Sequence, residues 1–406
     1  SIFAGVEQGP AIEVFKLNQD CLADTFHKKV NLGVGAYRTE DGKPWVLPVV
    51  RKTEITIAQN DAINHEYLPV CGADTFTQAA TKLLLGEDCP QVKDKRAFGV
   101  QSLSGTGALR LGADFLAKKL NRTVFYMSDP TWENHFKVFT GAGFKEARIY
   151  RYWDPKKRGI DFEGFIEDLE AAPEGAVIIL HACAHNPTGC DPTQEQWKKL
   201  AEVIESKKLF PFFDSAYQGF ASGDPHRDAW AIRYFVSKDI ECFAAQSFAK
   251  NFGLYCERAG NLTIVQRDAA TTKAVHSQMT LLVRASYSNP PAFGSRIVAT
   301  VLNDPQLKRE WEECIKIMSS RIKKMRQALY DHLIKLNTPG TWNHIVEQIG
   351  MFSYTGLNEE QVKILVRDFH IYLLSSGRIN MCGLNDNNVE YVANAIHKVV
   401  TQTESN

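Results

Sequence analysis

The sequence predicts an α/β fold in which a large domain, built on a mostly parallel sheet flanked by helices, is joined to a smaller α+β domain. Three observations predict it. Between about residues 100 and 266, short β-branched or aromatic runs alternate with longer amphipathic ones, the pattern of parallel strands joined by helices. Near Asn289-Pro290-Pro291 that alternation stops, and a single long helical stripe follows. The length, 406 residues, exceeds what one small core organises and leaves room for a second domain.

The expected strands are 123–127, 147–150, 176–180, 209–213, 242–245 and 262–265, each a short apolar or aromatic run. Between them, 161–171 reads as a helix capped by Asp161. Residues 193–207 read as another, following Asp191-Pro192 with Glu195 and Gln196 in its first turn. A helix over 306–336 places Leu307, Trp311, Cys314, Met318, Ile322, Met325, Leu329 and Leu333 on one stripe, in steps of three and four. At 1.5 Å per residue it would run about 45 Å, enough to bridge two domains, although a plain core helix accounts for the stripe equally well. After Thr338-Pro339-Gly340 the expected elements are a strand at 350–354, a helix from Asn358, a strand at 371–374 and a last helix from Asn385.

Apolar residues make up 44% and charged residues 23%, the balance of a soluble globular enzyme. Lysine plus arginine equals aspartate plus glutamate at 47 each, so no overall field favours nucleic acid or an anionic membrane. No apolar run approaches the roughly 20 residues that span a bilayer. Ser1-Ile-Phe-Ala-Gly5 has neither the basic nor the apolar region of a secretory signal. Nine cysteines without a C-x-x-C indicate neither a disulfide framework nor a zinc ribbon, and a reducing compartment is expected. The N-x-T triplets at Asn121 and Asn261 then read as chance matches.

The chemistry concentrates in Gln246-Ser-Phe-Ala-Lys-Asn-Phe-Gly-Leu-Tyr-Cys-Glu-Arg258. Among Phe248, Phe252 and Leu254, an amine loses water, which favours the neutral form of Lys250 and its attack on an aldehyde. Ser247 and Arg258 flank it with donors suited to a phosphate. A reactive lysine beside a phosphate site suggests pyridoxal 5'-phosphate. Asp214 emerges at the end of the apolar run Pro211-Phe-Phe213, where open parallel sheets bind ligands, and a buried carboxylate there needs a cationic or donating partner such as a pyridinium N–H. Tyr217, three residues on, is placed to donate to the ring's phenolate oxygen, and Asn186, in the turn Asn186-Pro-Thr-Gly189, to reach the same oxygen.

His181, Cys183 and His185 alternate, so an extended strand would present all three on one side. Successive pairs would then lie about 6.5 Å apart, too far for one ion. A hydrogen bond from His181 to a buried carboxylate such as Asp214 is the preferred reading. Ser104-Gly105-Thr106-Gly107 opens an apolar-periodic helix, whose free N–H groups suit a phosphate; it is neither G-x-G-x-x-G nor a P-loop. Gly35, within Asn31-Leu-Gly-Val-Gly35, reads as a turn that lets backbone approach a ligand. Arg284 and Arg378 stand away from acids. Each suits bidentate carboxylate capture, or is an ordinary surface charge.

Taken together, SLSGTGALR, PTWENH, HNPTG, FFDSAYQGF, SNPP and SGRIN stand in an order that resembles the aspartate aminotransferases of the fold-type I pyridoxal-phosphate family, from about Val14 to the last helix. The resemblance implies an N-terminal arm over 1–11, a small α+β domain over 12–44 and 316–406, and a large cofactor-binding domain over 45–315. It implies a homodimer with active sites shared between subunits. Lys250 would carry the cofactor covalently, Asp214 would pair with the pyridinium nitrogen with His135 and His181 behind it, and Trp132 would stack on the ring. Asn186 and Tyr217 would hold the ring oxygen. Ser104, Gly105, Thr106, Ser247 and Arg258 would bind the phosphate, completed by Tyr67 of the neighbouring subunit. Gly35, Trp132, Asn186 and Arg378 would contact substrate, with Arg378 on the α-carboxylate and Arg284 of the other subunit on the side-chain carboxylate.

The reaction implied is reversible ping-pong transfer of an amino group between L-aspartate and 2-oxoglutarate, giving oxaloacetate and L-glutamate. Pro44-Trp45, FFDSAYQ and His370-Ile-Tyr-Leu-Leu374 are more similar to the cytosolic branch, so a cytoplasmic enzyme is expected, with no metal, nucleic-acid or membrane partner. Alternative readings are a transaminase of cysteine sulfinate or kynurenine, and a silent cofactor-binding protein. Ala249 replaces a serine common in relatives, and the stretch around Asn121-Arg-Thr123 reads as a shortened surface loop.

Overall fold

The computed structural model describes residues 1–404. The chain divides into two compact units. One comprises Ser1–Pro44, Ile322–Glu347 and the chain from Phe352 onward; the other, larger, comprises Trp45–Arg321 and Gln348–Met351.

The larger unit is organised by a seven-stranded sheet: β1 (Ala97–Leu103), β2 (Val124–Asp129), β3 (Glu146–Arg151), β4 (Val177–His181), β5 (Phe210–Ser215), β6 (Cys242–Ser247) and β7 (Ala259–Val265). Its spatial order is β1-β7-β6-β5-β4-β2-β3. The pairs β6/β5, β5/β4, β4/β2 and β2/β3 are parallel, whereas β7 runs antiparallel to both of its neighbours. The sheet is thus mostly parallel, as expected, with β7 the reversed strand. Parallel neighbours need a crossover of a dozen or more residues, usually a helix. The eleven-residue stretch 248–258 between β6 and β7 contains no helix, and it folds back to set β7 the other way. Strand β1, a further member, was not anticipated.

The strand residues alternate between two apolar clusters, as a sheet covered on both faces requires. Phe125, Val177, Ile179, Phe212 and Phe243 enter one cluster, and Tyr126, Ile178, Leu180, Phe213 and Ala244 the other. Every residue of β4 is buried. The helix Phe162–Glu170 is capped by Asp161, whose side chain accepts from Gly164 N, and Gln194–Ser206 begins with a reciprocal capping box between Thr193 and Gln196. The 31-residue helix Pro305–Lys335 buries the anticipated stripe from Trp311 to Leu333, with Leu307 only partly covered. It contributes residues to both compact units.

In the smaller unit, Val30–Asn31 pairs in parallel with Ile371–Tyr372, and Phe352–Tyr354 pairs antiparallel with Arg378–Asn380. The strand expected from residue 350 starts two residues late. Gly350 has φ +83°, outside the extended range, and Ile349 N–H bonds Gly189 O at 2.8 Å. The strand expected over 371–374 ends at Tyr372. The last helix begins at Val389, not Asn385, because Asn385 and Asn388 exchange side-chain bonds with each other's backbone N–H and form the turn that precedes it. Among the described residues no helix is long and apolar enough to cross a membrane.

Candidate active site

Strands β1, β4, β5 and β6 end on the same edge of the sheet, where Leu103, His181, Asp214 and Ser247 emerge. Because β7 is reversed, it starts at that edge, just after Arg258. A cavity opens there, lined by Ser104, Gly105, Thr106, Leu109, Trp132, His181, Cys183, Asn186, Asp214, Ala216, Tyr217, Ser247, Ala249, Lys250 and Arg258. Segments far apart in sequence converge because parallel strands deliver their carboxyl ends together.

One end of the cavity is built to receive an anion. Ser104 opens the helix Ser104–Lys119 in a left-handed conformation, φ +59°, and its N–H bonds Arg258 O at 3.0 Å. Its hydroxyl lies 3.0 Å from that of Ser247. Arg258, exposed and also left-handed, anchors its guanidinium on Tyr255 O at 2.8 Å. A Cβ on Gly105 would stand 3.0 Å from Ser247 Cβ, so glycine keeps the space between the helix end and the serine open. Helix N–H groups, two hydroxyls and a guanidinium are the donor set of a phosphate.

Lys250 sits in the next turn of chain, its Nζ 5.3 Å from the centroid of the Tyr217 ring. The aromatic residues around it in sequence pack into the interior: Phe248 meets Phe76 and Phe252 edge-on, and Phe252 stacks on Trp311 at 4.8 Å. Trp311 also donates from its indole to Asn251 O at 2.7 Å, tying the long helix to the lysine-bearing loop.

Asp214 is the only acid among the lining residues. Burial is the largest influence on its carboxyl and raises it, but the His135 hydrogen bond and the pull of His135, His181 and Lys250 together hold it below the ordinary carboxylate value. The chain of bonds behind it has a readable direction. Asn186 N–H donates to His181 Nδ1 at 3.3 Å, so the neutral ring carries its proton on Nε2 and donates to Thr131 Oγ1 at 3.0 Å. Thr131 in turn donates to His135 Nδ1 at 2.9 Å, and His135 Nε2 donates to Asp214 Oδ2 at 2.7 Å. His181 thus reaches Asp214 only through Thr131 and His135, which corrects the expected direct bond.

His185 is ordered in the same way. The Ser128 hydroxyl spends its proton on Pro130 O, so it accepts from His185 Nε2, and Nδ1 accepts from Thr188. Burial, then neighbouring imidazoles, hold both His181 and His185 well below the ordinary histidine value. Their ring centroids are 4.0 Å apart because the chain turns after His181 instead of continuing as a strand.

Trp132, Asn186 and Tyr217 join the phosphate-type residues, Asp214 and Lys250 in the one cavity. Tyr67 and Arg284 do not line it. Tyr67 is 81% exposed, and Arg284, on the exposed side of the helix Thr272–Ser286, bonds Ser288 Oγ. Gly35 and Arg378 belong to the smaller unit. There Arg378 is buried, donates to Gly33 O at 2.9 Å and lies over the Phe352 ring at 4.0 Å. Asn380 bonds the carbonyls on either side of Gly35, Val34 O and Ala36 O, at 2.5 and 2.9 Å. Thr131, which links the two histidines, was missed; it precedes Trp132 in a turn without a distinctive spacing, and only its place beside Trp132 hinted at it.

An amine, a buried carboxylate and a phosphate cradle facing one cavity define a site for pyridoxal phosphate, and the residues present fit that group. The chain belongs to the aminotransferase class I and II family, whose sequence profile matches residues 27–396. Members are pyridoxal-phosphate-dependent transaminases. The chain is 58% identical over 406 residues to the cytoplasmic aspartate aminotransferase of Caenorhabditis elegans, covering all of both chains. It is 56% identical over 409 residues to that of Gallus gallus, covering 100% of this chain and 99% of the relative. Among solved structures, the Saccharomyces cerevisiae cytoplasmic aspartate aminotransferase superposes with a TM-score of 0.96 at 46% identity, covering 99% of each chain. An aromatic-amino-acid aminotransferase from Burkholderia pseudomallei, covalently bound to pyridoxal phosphate, gives 0.96 at 41% identity, covering 98% of this chain and 100% of that one.

Proposed function

We propose that this chain transfers the amino group reversibly between L-aspartate and 2-oxoglutarate, giving oxaloacetate and L-glutamate by a ping-pong route. The observation that carries the reading is that Lys250 and Asp214 face one cavity closed by the Ser104-to-Thr106 helix end, Ser247 and Arg258. Bound pyridoxal phosphate supplies an aldehyde that accepts the amino group and a ring that takes up the electron pair left when the α-proton departs.

The residues then divide the work. Ser104, Gly105, Thr106, Ser247 and Arg258 hold the phosphate, and the Asp214 carboxylate stays charged against the ring nitrogen because His135 donates to it. Trp132 covers one face of the ring, while Asn186 and Tyr217 donate to its oxygen. Lys250 Nζ would hold the cofactor in the resting enzyme and, as a free amine, would serve as the general base for the α-proton. Arg378, with Gly35 beside it, takes the substrate α-carboxylate.

Tyr67 and Arg284, exposed in a single chain, act in the site of a second copy, so the working form is a homodimer. Arg284 there selects a side-chain carboxylate, since a guanidinium left unpaired by a neutral side chain carries a penalty. Relatives named as cytoplasmic support a cytoplasmic location. Replacing Lys250 tests the assignment: Lys250→Ala should retain pyridoxal phosphate noncovalently and lose turnover by about 10³-fold or more. Near-normal turnover would refute it.

A further inference from the structure

The segment that follows β4 has an irregular backbone that must be held in place. Ala184 adopts φ +50°, a left-handed conformation that is unfavourable for a residue bearing a Cβ. Three successive N–H groups, those of Ala184, His185 and Asn186, are each captured by a side chain. Asp191 Oδ2 accepts from Ala184 N–H at 2.6 Å, Asp191 Oδ1 accepts from His185 N–H at 2.9 Å, and His181 Nδ1 accepts from Asn186 N–H at 3.3 Å. Gly350 packs against the same residue, since a Cβ there would meet Ala184 Cβ at 2.5 Å. Asp191 is partly buried and does not line the cavity.

We propose that Asp191 is a positioning residue: by gripping two consecutive amides it fixes the third, that of Asn186, on His181, and so sets the direction of the hydrogen-bond chain that ends on Asp214. With Asn186 N–H on Nδ1, His181 has one neutral tautomer available, and Thr131 and His135 are ordered in turn. Without the carboxylate, the amides of Ala184 and His185 lose their acceptor, and Ala184 is drawn toward the ordinary right-handed or extended regions. The peptide that presents Asn186 N–H turns with it. His181 can then place its proton on either nitrogen, Thr131 loses its fixed orientation, and His135 no longer has a single donor role toward Asp214. The same movement displaces Asn186 from the cavity wall. An asparagine at 191 is nearly isosteric, but it offers one oxygen and turns an NH₂ toward the second amide, so it separates the double grip from side-chain volume.

The test is nitrogen NMR of the histidine rings in the full-length, cofactor-free protein, comparing the native chain with Asp191→Asn. The native chain should show His181 locked as the Nε2–H tautomer, with slowly exchanging ring protons on His181 and His135. In Asp191→Asn the His181 signals should move toward a tautomer mixture, and both ring protons should exchange at least about tenfold faster. After loading with pyridoxal phosphate, the pH midpoint of the visible band should rise by about one unit as Asn186 withdraws from the ring oxygen. Should Asp191→Asn not accumulate in folded form, Asp191→Ser is read in the same way, because its shorter side chain carries a single oxygen and cannot hold both amides. Unchanged His181 signals and exchange rates in the folded variant would overturn the proposal. The ring signals need no cofactor or substrate, so their failure is distinguishable from failure of the transaminase reading, on which only the visible-band measurement rests.

Discussion

His135 Nε2 lies 2.7 Å from Asp214 Oδ2, with the imidazole fully buried and the carboxylate 9% exposed. A carboxylate in that setting would ordinarily take up a proton, and a neutral acid cannot serve as counter-charge to a ring nitrogen. The direction of the His181-Thr131-His135 chain supplies Asp214 with a donor that has no alternative orientation, which keeps the charge in place. Asp214→Ala should therefore lower turnover by at least about 10²-fold, the scale on which a preorganised charge acts in a water-excluded site. Steady-state kinetics on the cofactor-loaded variant measure this, and a loss under threefold would remove Asp214 from the mechanism.

Gly260, in β7, admits the backbone of Ser104: a Cβ there would stand 2.4–2.6 Å from Ser104 C, O and Cα. Gly260→Ala must push the helix end away from Ser247 and Arg258. Overpacking of this kind costs about 1–3 kcal/mol, and the expected result is pyridoxal-phosphate affinity weakened by about tenfold or more in a titration of the cofactor-free protein. An unchanged affinity would show that the cradle does not depend on this contact.

Trp311 carries the stacking on Phe252 and the bond to Asn251 O. Trp311→Ala should destabilise the protein by about 3–5 kcal/mol in urea unfolding and increase hydrogen exchange over residues 248–254. A stable variant with a protected 248–254 segment would contradict the role assigned to it.

The buried histidines set a pH dependence whose sign follows from their depressed values. Below 6.5 the unfolded chain binds protons that folded His181 and His185 refuse, so stability present above that pH is lost as pH falls. Asp191 acts in the opposite sense: burial, opposed by its two amide bonds, pushes it up to about 6, so the folded state takes up a proton first between about 6 and 3.8. The loss should thus set in near 6.5 and steepen over the next pH unit toward about 1.4 kcal/mol per pH unit for each histidine, partly offset below 6 as folded Asp191 takes up its proton. Urea midpoints from pH 7.5 to 5 measure it. His185→Gln should make the dependence shallower by about one proton, and an unaltered slope would count against a neutral His185.

In the proposed function Arg284 of a second copy selects the side-chain carboxylate. Arg284→Asp should shift preference from aspartate toward cationic amino acids, read as the ratio of kcat/KM values. Unchanged selectivity would remove Arg284 from the site.

Much of the large unit was legible because burial writes itself into composition: Val177–His181, wholly buried, and Phe210–Ser215, buried from Pro211 onward, are continuous apolar runs before a polar end. Strand direction was not legible from such runs, since β7 alternates in the same way whichever way it points; the missing helix in 248–258 was the available signal. Strand β1 escaped because Gly99, Gln101 and Ser102 dilute its apolar character, although Gln101 and Ser102 are buried. In the cavity, residues with unusual chemistry for their neighbourhood, Lys250 and Asp214 above all, stood out. Thr131 and Asp191 did not. Thr131 acts through bonds to His135 and His181, and Asp191 through bonds to two amides in the turn after β4, geometries that leave no periodic trace.

The visible absorption spectrum of the purified protein, recorded before and after adding L-aspartate alone and then after adding 2-oxoglutarate, separates transamination of aspartate from every other reading. The account predicts that the resting cofactor band is replaced on adding aspartate and restored by 2-oxoglutarate, demonstrating both halves of a ping-pong transfer. A cofactor band indifferent to aspartate, or no cofactor band even after adding pyridoxal phosphate, would contradict it.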